Sequence, residues 1–157
     1  MQQEDTQNTP GVIAFPPLIY TGPLATGLLL NLAIPLPFLP PSVTWMFGLP
    51  LVGGGLLIGA AAIRAMRRIG TNVNPNEPTT ALVTEGPFRF SRNPIYVAFT
   101  LVYGGIAIVA NALWVALLLP FILVLIQRGV INREERYLER RFGPVYHQYK
   151  TQVRRWL

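Results

Sequence analysis

The chain has 157 residues and a mean hydropathy of +0.38, with 51% of its residues hydrophobic, 13% charged and none cysteine. A soluble domain of this size carries about 25% charged residues, so water is not its only solvent, and a chain this apolar is not intrinsically disordered. The length suits one domain, and the missing cysteines exclude disulfides, thiolate metal sites and a cysteine nucleophile.

The charges are more informative in place than in number. No Asp, Glu, Lys or Arg occurs in residues 6–63 or in residues 93–127, which marks both stretches as membrane. The formal charge of +6 divides into −2 from Glu4 and Asp5, +3 from residues 64–92 and +5 from residues 128–157. A sequence pI near 10.3 raises the question of nucleic acid. These arginines, however, flank hydrocarbon-length segments as the positive-inside tendency requires, so nucleic acid is not expected as a partner and membrane lipids are.

Residues 1–16 are expected to be a disordered tail, since 1–10 are polar, unpatterned and without the basic start of a secretory signal. The first apolar block is long enough for two crossings, and Leu39-Pro40-Pro41-Ser42 breaks it. Helix 1 is expected near residues 17–39, with Pro35 and Pro37 kinking or ending it early, and helix 2 near 43–67. Gly53, Gly54, Gly55, Gly59 and Ala60 to Ala62 give helix 2 a small-residue surface for close packing. Asn31, a polar group in lipid, suggests a helix–helix hydrogen bond.

Arg64, Arg67 and Arg68 close helix 2 and mark a cytoplasmic boundary. The connection over residues 69–93 is long enough to be a functional element or a lid. A second apolar block, 94–128, breaks at Ala110-Asn111-Ala112 into halves of 16 residues, or roughly 24 Å each against a ~30 Å hydrocarbon core. A tight helical hairpin follows, crossing with help from its flanks or entering part way. Residues 129–157 read as amphipathic helices divided at Gly143-Pro144. There Val145, Tyr149, Val153 and Trp156 are expected to form an interfacial stripe with Lys150, Arg154 and Arg155 outward. His147 stands without a constellation and is expected to be exposed. Tyr103 and Trp114 read as core or lipid-facing aromatics. The fold class is thus an all-α integral membrane protein of about four transmembrane helices, two plus the hairpin. Residues 17–157 make one domain, multi-pass, with the 69–93 loop and the C-terminal tail cytoplasmic.

Two clusters carry the chemistry. In the first, Arg92-Asn93-Pro94-Ile95-Tyr96, Ser91 or Asn93 is placed to cap a helix begun by Pro94, and free backbone N–H groups with Arg89 and Arg92 offer an anion site. In the second, Glu134 and Glu135 sit among Arg133, Arg136, Arg140 and Arg141. Because a hairpin returns its ends together, the two clusters are expected to meet at one membrane surface.

With Phe142-Gly143-Pro144-Val145-Tyr146-His147-Gln148-Tyr149 added, this pattern resembles the C-terminal half of the isoprenylcysteine carboxyl methyltransferase family and its phospholipid methyltransferase relatives, over about residues 82–156. The resemblance implies a membrane enzyme that binds S-adenosyl-L-methionine at its cytoplasmic face and methylates a lipophilic acceptor, with no metal. It nominates Arg92, Asn93, Pro94, Tyr96, Glu134 and Glu135 as donor-binding, and Arg92 and Glu134 as catalytic. Where the family most often has His, this chain has Asn93, which can hydrogen-bond but not titrate, so no general base is expected there. Acceptor entry is expected laterally, between helix 2 and the hairpin. The alternative readings are an NADPH-dependent membrane reductase of the sterol-reductase type, which this chain is small for, and a non-catalytic membrane scaffold.

Overall fold

A computed structural model describes residues 9–74 and 77–157 of the chain. Its regular structure is helical throughout the described residues: α1 (Pro16–Ala33), α2 (Pro41–Arg68), a 3₁₀ turn (Gly86–Arg89), α3 (Pro94–Val109), α4 (Leu113–Ile126), a π-helical segment (Gln127–Ile131) and α5 (Asn132–Gln152). The helices α1, α2 and α3 all begin with proline in the first turn, where its missing N–H costs nothing, and none has a side-chain cap.

Helix α1 stops at Ala33, short of the expected residue 39, because Pro35 and Pro37 cannot continue it. Asn31 bonds no neighbouring helix; its Oδ1 accepts from Leu36 N at 3.2 Å and so finishes α1 locally. The linker to α2 is held by the hairpin turn. Asn111, with φ 47°, takes the left-handed conformation that Asn tolerates. Its Oδ1 accepts from Phe38 N and Leu39 N, both at 3.0 Å, and its Nδ2 donates to Leu39 O. Trp114 Nε1 donates to Ile34 O.

Two close helix pairs make the bundle. Against α3, α2 presents Gly48 and Gly55, and α3 answers with Gly105 and Ala98. A Cβ on Gly105 would stand 2.8 Å from both Gly48 O and Val52 N, and one on Gly55 would stand 2.8 Å from Ala98 O. Gly53 and Gly54 take no part, having nothing within 4 Å of a built Cβ. The second pair is α1 on α4, where Gly27 lies against Val115. Tyr20, Tyr103, Ile122, Ile126 and Val130 fill the core between the pairs. Tyr20 shares a hydrogen bond of 3.0 Å with Thr100, and Tyr103 donates to Val115 O. The outer faces leave Trp45, Leu57 and Phe121 exposed, a surface suited to hydrocarbon.

The second arm of the hairpin does not end at residue 127. It runs through the π segment into α5 without a break as far as the kink at Gly143, and among the described residues Leu113–Gln152 and Pro41–Arg68 are the two helices long and apolar enough to cross a membrane. Helix α3 is apolar but shorter. The charge-free part, residues 113–127, is roughly 22 Å long at 1.5 Å per residue, and the charged residues begin at Arg128 within the π segment and continue from Arg133. The π segment also seats the chain's start. Residues 1–8 of the expected tail lie outside the described residues, but from Gly11 onward the backbone is placed: Ile13 N donates to Gly129 O, and Arg133 Nη1 donates to Gly11 O at 2.8 Å. A Cβ on Gly129 would stand 2.2 Å from Ile13 Cδ1. Residues 11–15 are therefore a strap across the end of the bundle, held because Gly129 leaves room for it.

Gly105→Ala and Gly54→Ala are expected to move thermal unfolding of the detergent-purified protein in opposite directions. The first pushes a methyl group into backbone that cannot swing away, at a cost of roughly 1–3 kcal/mol. The second fills open space and replaces a helical glycine, a gain of roughly 0.5–1 kcal/mol.

Candidate active site

The strap and the start of α1, the end of α2, the 69–93 connection, the start of α3 and the first turns of α5 all reach one end of the bundle. They enclose a cavity of about 420 Å³. Arg92, Asn93, Pro94, Tyr96, Glu134 and Glu135 all line it, so the two sequence clusters do converge.

The connection is ordered by its own side chains. Thr71, buried, accepts from Thr80 N and Ala81 N through Oγ1, Thr80 Oγ1 donates to Gly70 O, and Asn72 Nδ2 donates to Pro78 O. Thr79 N donates to the hydroxyl of Tyr137 on α5, which fastens this element over the cavity.

The charged groups divide into two sets. Glu135, buried, receives Arg155 in a two-pronged pair, Nε to Oε1 at 2.9 Å and Nη2 to Oε2 at 2.5 Å. Arg92 Nη1 lies 3.1 Å from the same Oε1, yet neither Nη1 nor Nε of Arg92 makes a hydrogen bond among the described residues. Glu134 accepts from the Tyr96 hydroxyl at 2.7 Å through Oε1, and no described residue bonds its Oε2. Burial pushes the Glu134 carboxyl up to about 7; the Tyr96 hydrogen bond works against this and the charge of Glu135 adds to it. The neighbouring carboxylates thus do different work: Glu135 anchors two arginines, and Glu134 keeps a free oxygen.

Neither expected cap forms at α3. Ser91 Oγ accepts from Asn93 N and donates to Arg155 O, and Asn93 Nδ2 donates to Arg155 O at 2.9 Å, so both side chains hold the C-terminal tail. Arg89 is exposed and outside the cavity lining. The interfacial stripe is also corrected. Tyr149 is buried and donates to Phe88 O at 2.7 Å, Trp156 Nε1 donates to Gln127 Oε1, and Arg155 points inward to Glu135. Gly143, with φ 50°, breaks α5 before Pro144 as the sequence suggests, and the turn brings Tyr146 and Tyr149 to the cavity wall. Exposed Val145 and His147 face away. Sequence reasoning missed Arg155 and the 10–17 wall of Pro10, Phe15, Pro16 and Pro17. A cation at the end of a basic tail reads as surface unless its partner is known.

The family model described as phospholipid methyltransferase matches residues 43–145, well over half of the chain. The chain belongs to the phospholipid methyltransferase family. It is a methyltransferase of the membrane-associated kind, and both motif clusters lie inside the matched region while the strap and Arg155 lie outside it. An uncharacterized protein of Haemophilus influenzae is 44% identical to this methyltransferase over 63 residues, covering 40% of this chain and 89% of that protein. No solved structure matches the chain.

The raised carboxyl has a stability signature. Below about 4.5 Glu134 is neutral folded or unfolded; between there and about 7 the unfolded chain ionises and the folded one stays protonated, so stability falls as pH rises through that window. The Tm of the detergent-purified protein should fall less between pH 5 and 8 in Glu134→Gln than in wild type.

Proposed function

We propose that the cavity binds S-adenosyl-L-methionine and that the protein transfers its methyl group to a lipophilic acceptor, lipid-like or isoprenylcysteine carboxylate-like, at the cytoplasmic membrane face. The observation that carries this reading is the cavity's donor set: a buried guanidinium, ion-paired to Glu135 but with two nitrogens that make no hydrogen bond among the described residues, beside a carboxylate with a free oxygen. Such a pair suits a zwitterionic, positively charged ligand, and about 420 Å³ lies within the usual range for small-molecule sites.

When bound, the sulfonium supplies an activated methyl group whose S–CH₃ bond breaks as the acceptor's nucleophile bonds the carbon, the electron pair leaving on sulfur. Glu134, ionised, attracts the donor's cationic groups through Oε2, and Tyr96 fixes its orientation through Oε1. Arg92 receives the donor carboxylate. Asn93 and Pro94 set the start of α3 rather than move a proton, in keeping with an in-line displacement that needs alignment and exclusion of water more than a base. Phe88, Tyr146 and Tyr149 offer apolar and aromatic wall for the adenosine portion.

Entry between α2 and the hairpin is obstructed by the Gly48–Gly105 and Gly55–Ala98 contacts. The cavity's apolar wall is instead made by Phe15, Pro16 and Pro17 with Ile63, Met66 and Phe99, which supports an acceptor route between the start of α1 and the end of α2. The arginines gathered at this end of the bundle support a cytoplasmic cavity, by the positive-inside tendency.

Isothermal titration of detergent-purified protein with S-adenosyl-L-methionine and its demethylated product tests this. Saturable binding is expected, weakened tenfold or more (about 1.4 kcal/mol) by Glu134→Gln. Affinity should rise with pH through about 7 in wild type as Glu134 ionises, and stay flat in the variant. Folded wild type that binds neither ligand would overturn the reading.

A further inference from the structure

The last five residues lie beyond the family match, yet they are built into the site. Helix α5 ends at Gln152, Val153 turns extended, and the chain doubles back along the segment that precedes α3. Arg92 N donates to Arg154 O at 2.9 Å, and Ser91 Oγ and Asn93 Nδ2 both donate to Arg155 O. Trp156, packed on the core, ties the tail to Gln127 at the end of α4. The tail is therefore latched by its backbone and by Trp156, independently of the Arg155 side chain.

What the Arg155 guanidinium adds is charge placement. A planar fork on a carboxylate takes both oxygens along their lone-pair directions. With Glu135 so engaged, Arg92 is left at 3.1 Å from one shared oxygen, its side chain only 9% exposed and two of its nitrogens without a hydrogen bond. Its ion pair with one Glu135 oxygen leaves those hydrogen bonds unmade, and buried donors left unbonded are costly, so the guanidinium retains capacity for a second anion. Were Arg155 absent, Glu135 would be free to take the Arg92 fork itself, and the cavity would lose its anion receptor.

We propose that Arg155 is a positioning residue: by holding Glu135 in a two-pronged ion pair, it keeps the Arg92 guanidinium available to an anionic group in the cavity. The inference rests on the donor-binding reading above and names the anion as the donor's carboxylate. It also makes the C-terminal tail a functional part of the site.

The test compares two probes on the full-length, detergent-purified protein, S-adenosyl-L-methionine and its decarboxylated analogue, which keeps the sulfonium and the adenosine but lacks the carboxylate. Wild type should prefer the carboxylated ligand by tenfold or more. Arg155→Ala should lose most of that preference while binding the decarboxylated analogue as wild type does, which also certifies its fold. Arg92→Ala should behave alike, and the double variant should lose no more than either single one, since both act through one contact. Arg155→Lys, keeping the charge but not the fork, should restore part of the preference and serves as the test should the alanine variant not fold. Equal weakening of both ligands in Arg155→Ala, or no change in either, would reduce Arg155 to a structural or idle role and overturn the proposal. A wild type that binds both ligands equally would overturn it too, leaving the donor site standing; a wild type that binds neither would bring down the donor site itself.

Discussion

The cost of burying charge at the end of an apolar bundle governs this structure. Glu135 is buried and ionisable, and a lone carboxylate there would be expensive. Two arginines answer it, Arg92 from the segment before α3 and Arg155 from the chain's end, so the pairing joins parts of the chain that share no helix. Breaking one partner of such a pair leaves the others uncompensated. The network therefore ties together the segment before α3, the first turn of α5 and the returning tail at one wall of the cavity.

Beneath that end the bundle is held by shape. In hydrocarbon, apolar side chains gain little by leaving lipid for one another, so close backbone approach and interhelical hydrogen bonds carry the association. Gly48, Gly55 and Gly105 bring α2 and α3 within backbone contact, and Tyr20, Thr100 and Tyr103 supply the polar links. The same closeness shuts the route between α2 and the hairpin and leaves the cavity's apolar side against α1. Packing at the middle of the bundle thus decides the direction from which the site is reached.

Much of this was legible in the residues. Charge-free stretches gave the helices, Pro94 gave the start of α3, Gly143-Pro144 gave the break in α5, and the spacing of the two clusters on a hairpin gave their convergence. The errors have a common origin. Asn31, Ser91 and Asn93 are polar residues whose partners were assigned to the nearest element, whereas their bonds go to a linker or to the tail. Arg155 and Tyr149 sit in an amphipathic pattern that suits a membrane surface equally well, and hydrophobic periodicity cannot tell a lipid interface from a cavity wall.

The sequence by itself determined the apolar and charged segments, the helical class, both ends of α3 and the six residues that meet at the cavity. Those properties depend on local composition and on neighbours a few residues apart. Only the tertiary structure decided that the paired glutamates take different partners, that residues 11–15 strap the bundle, and that the last five residues fold back against the segment before α3. Each of these rests on contacts between positions far apart in the chain, 122 residues in the case of Arg133 and Gly11, and the identity of a distant partner is set by how whole helices pack.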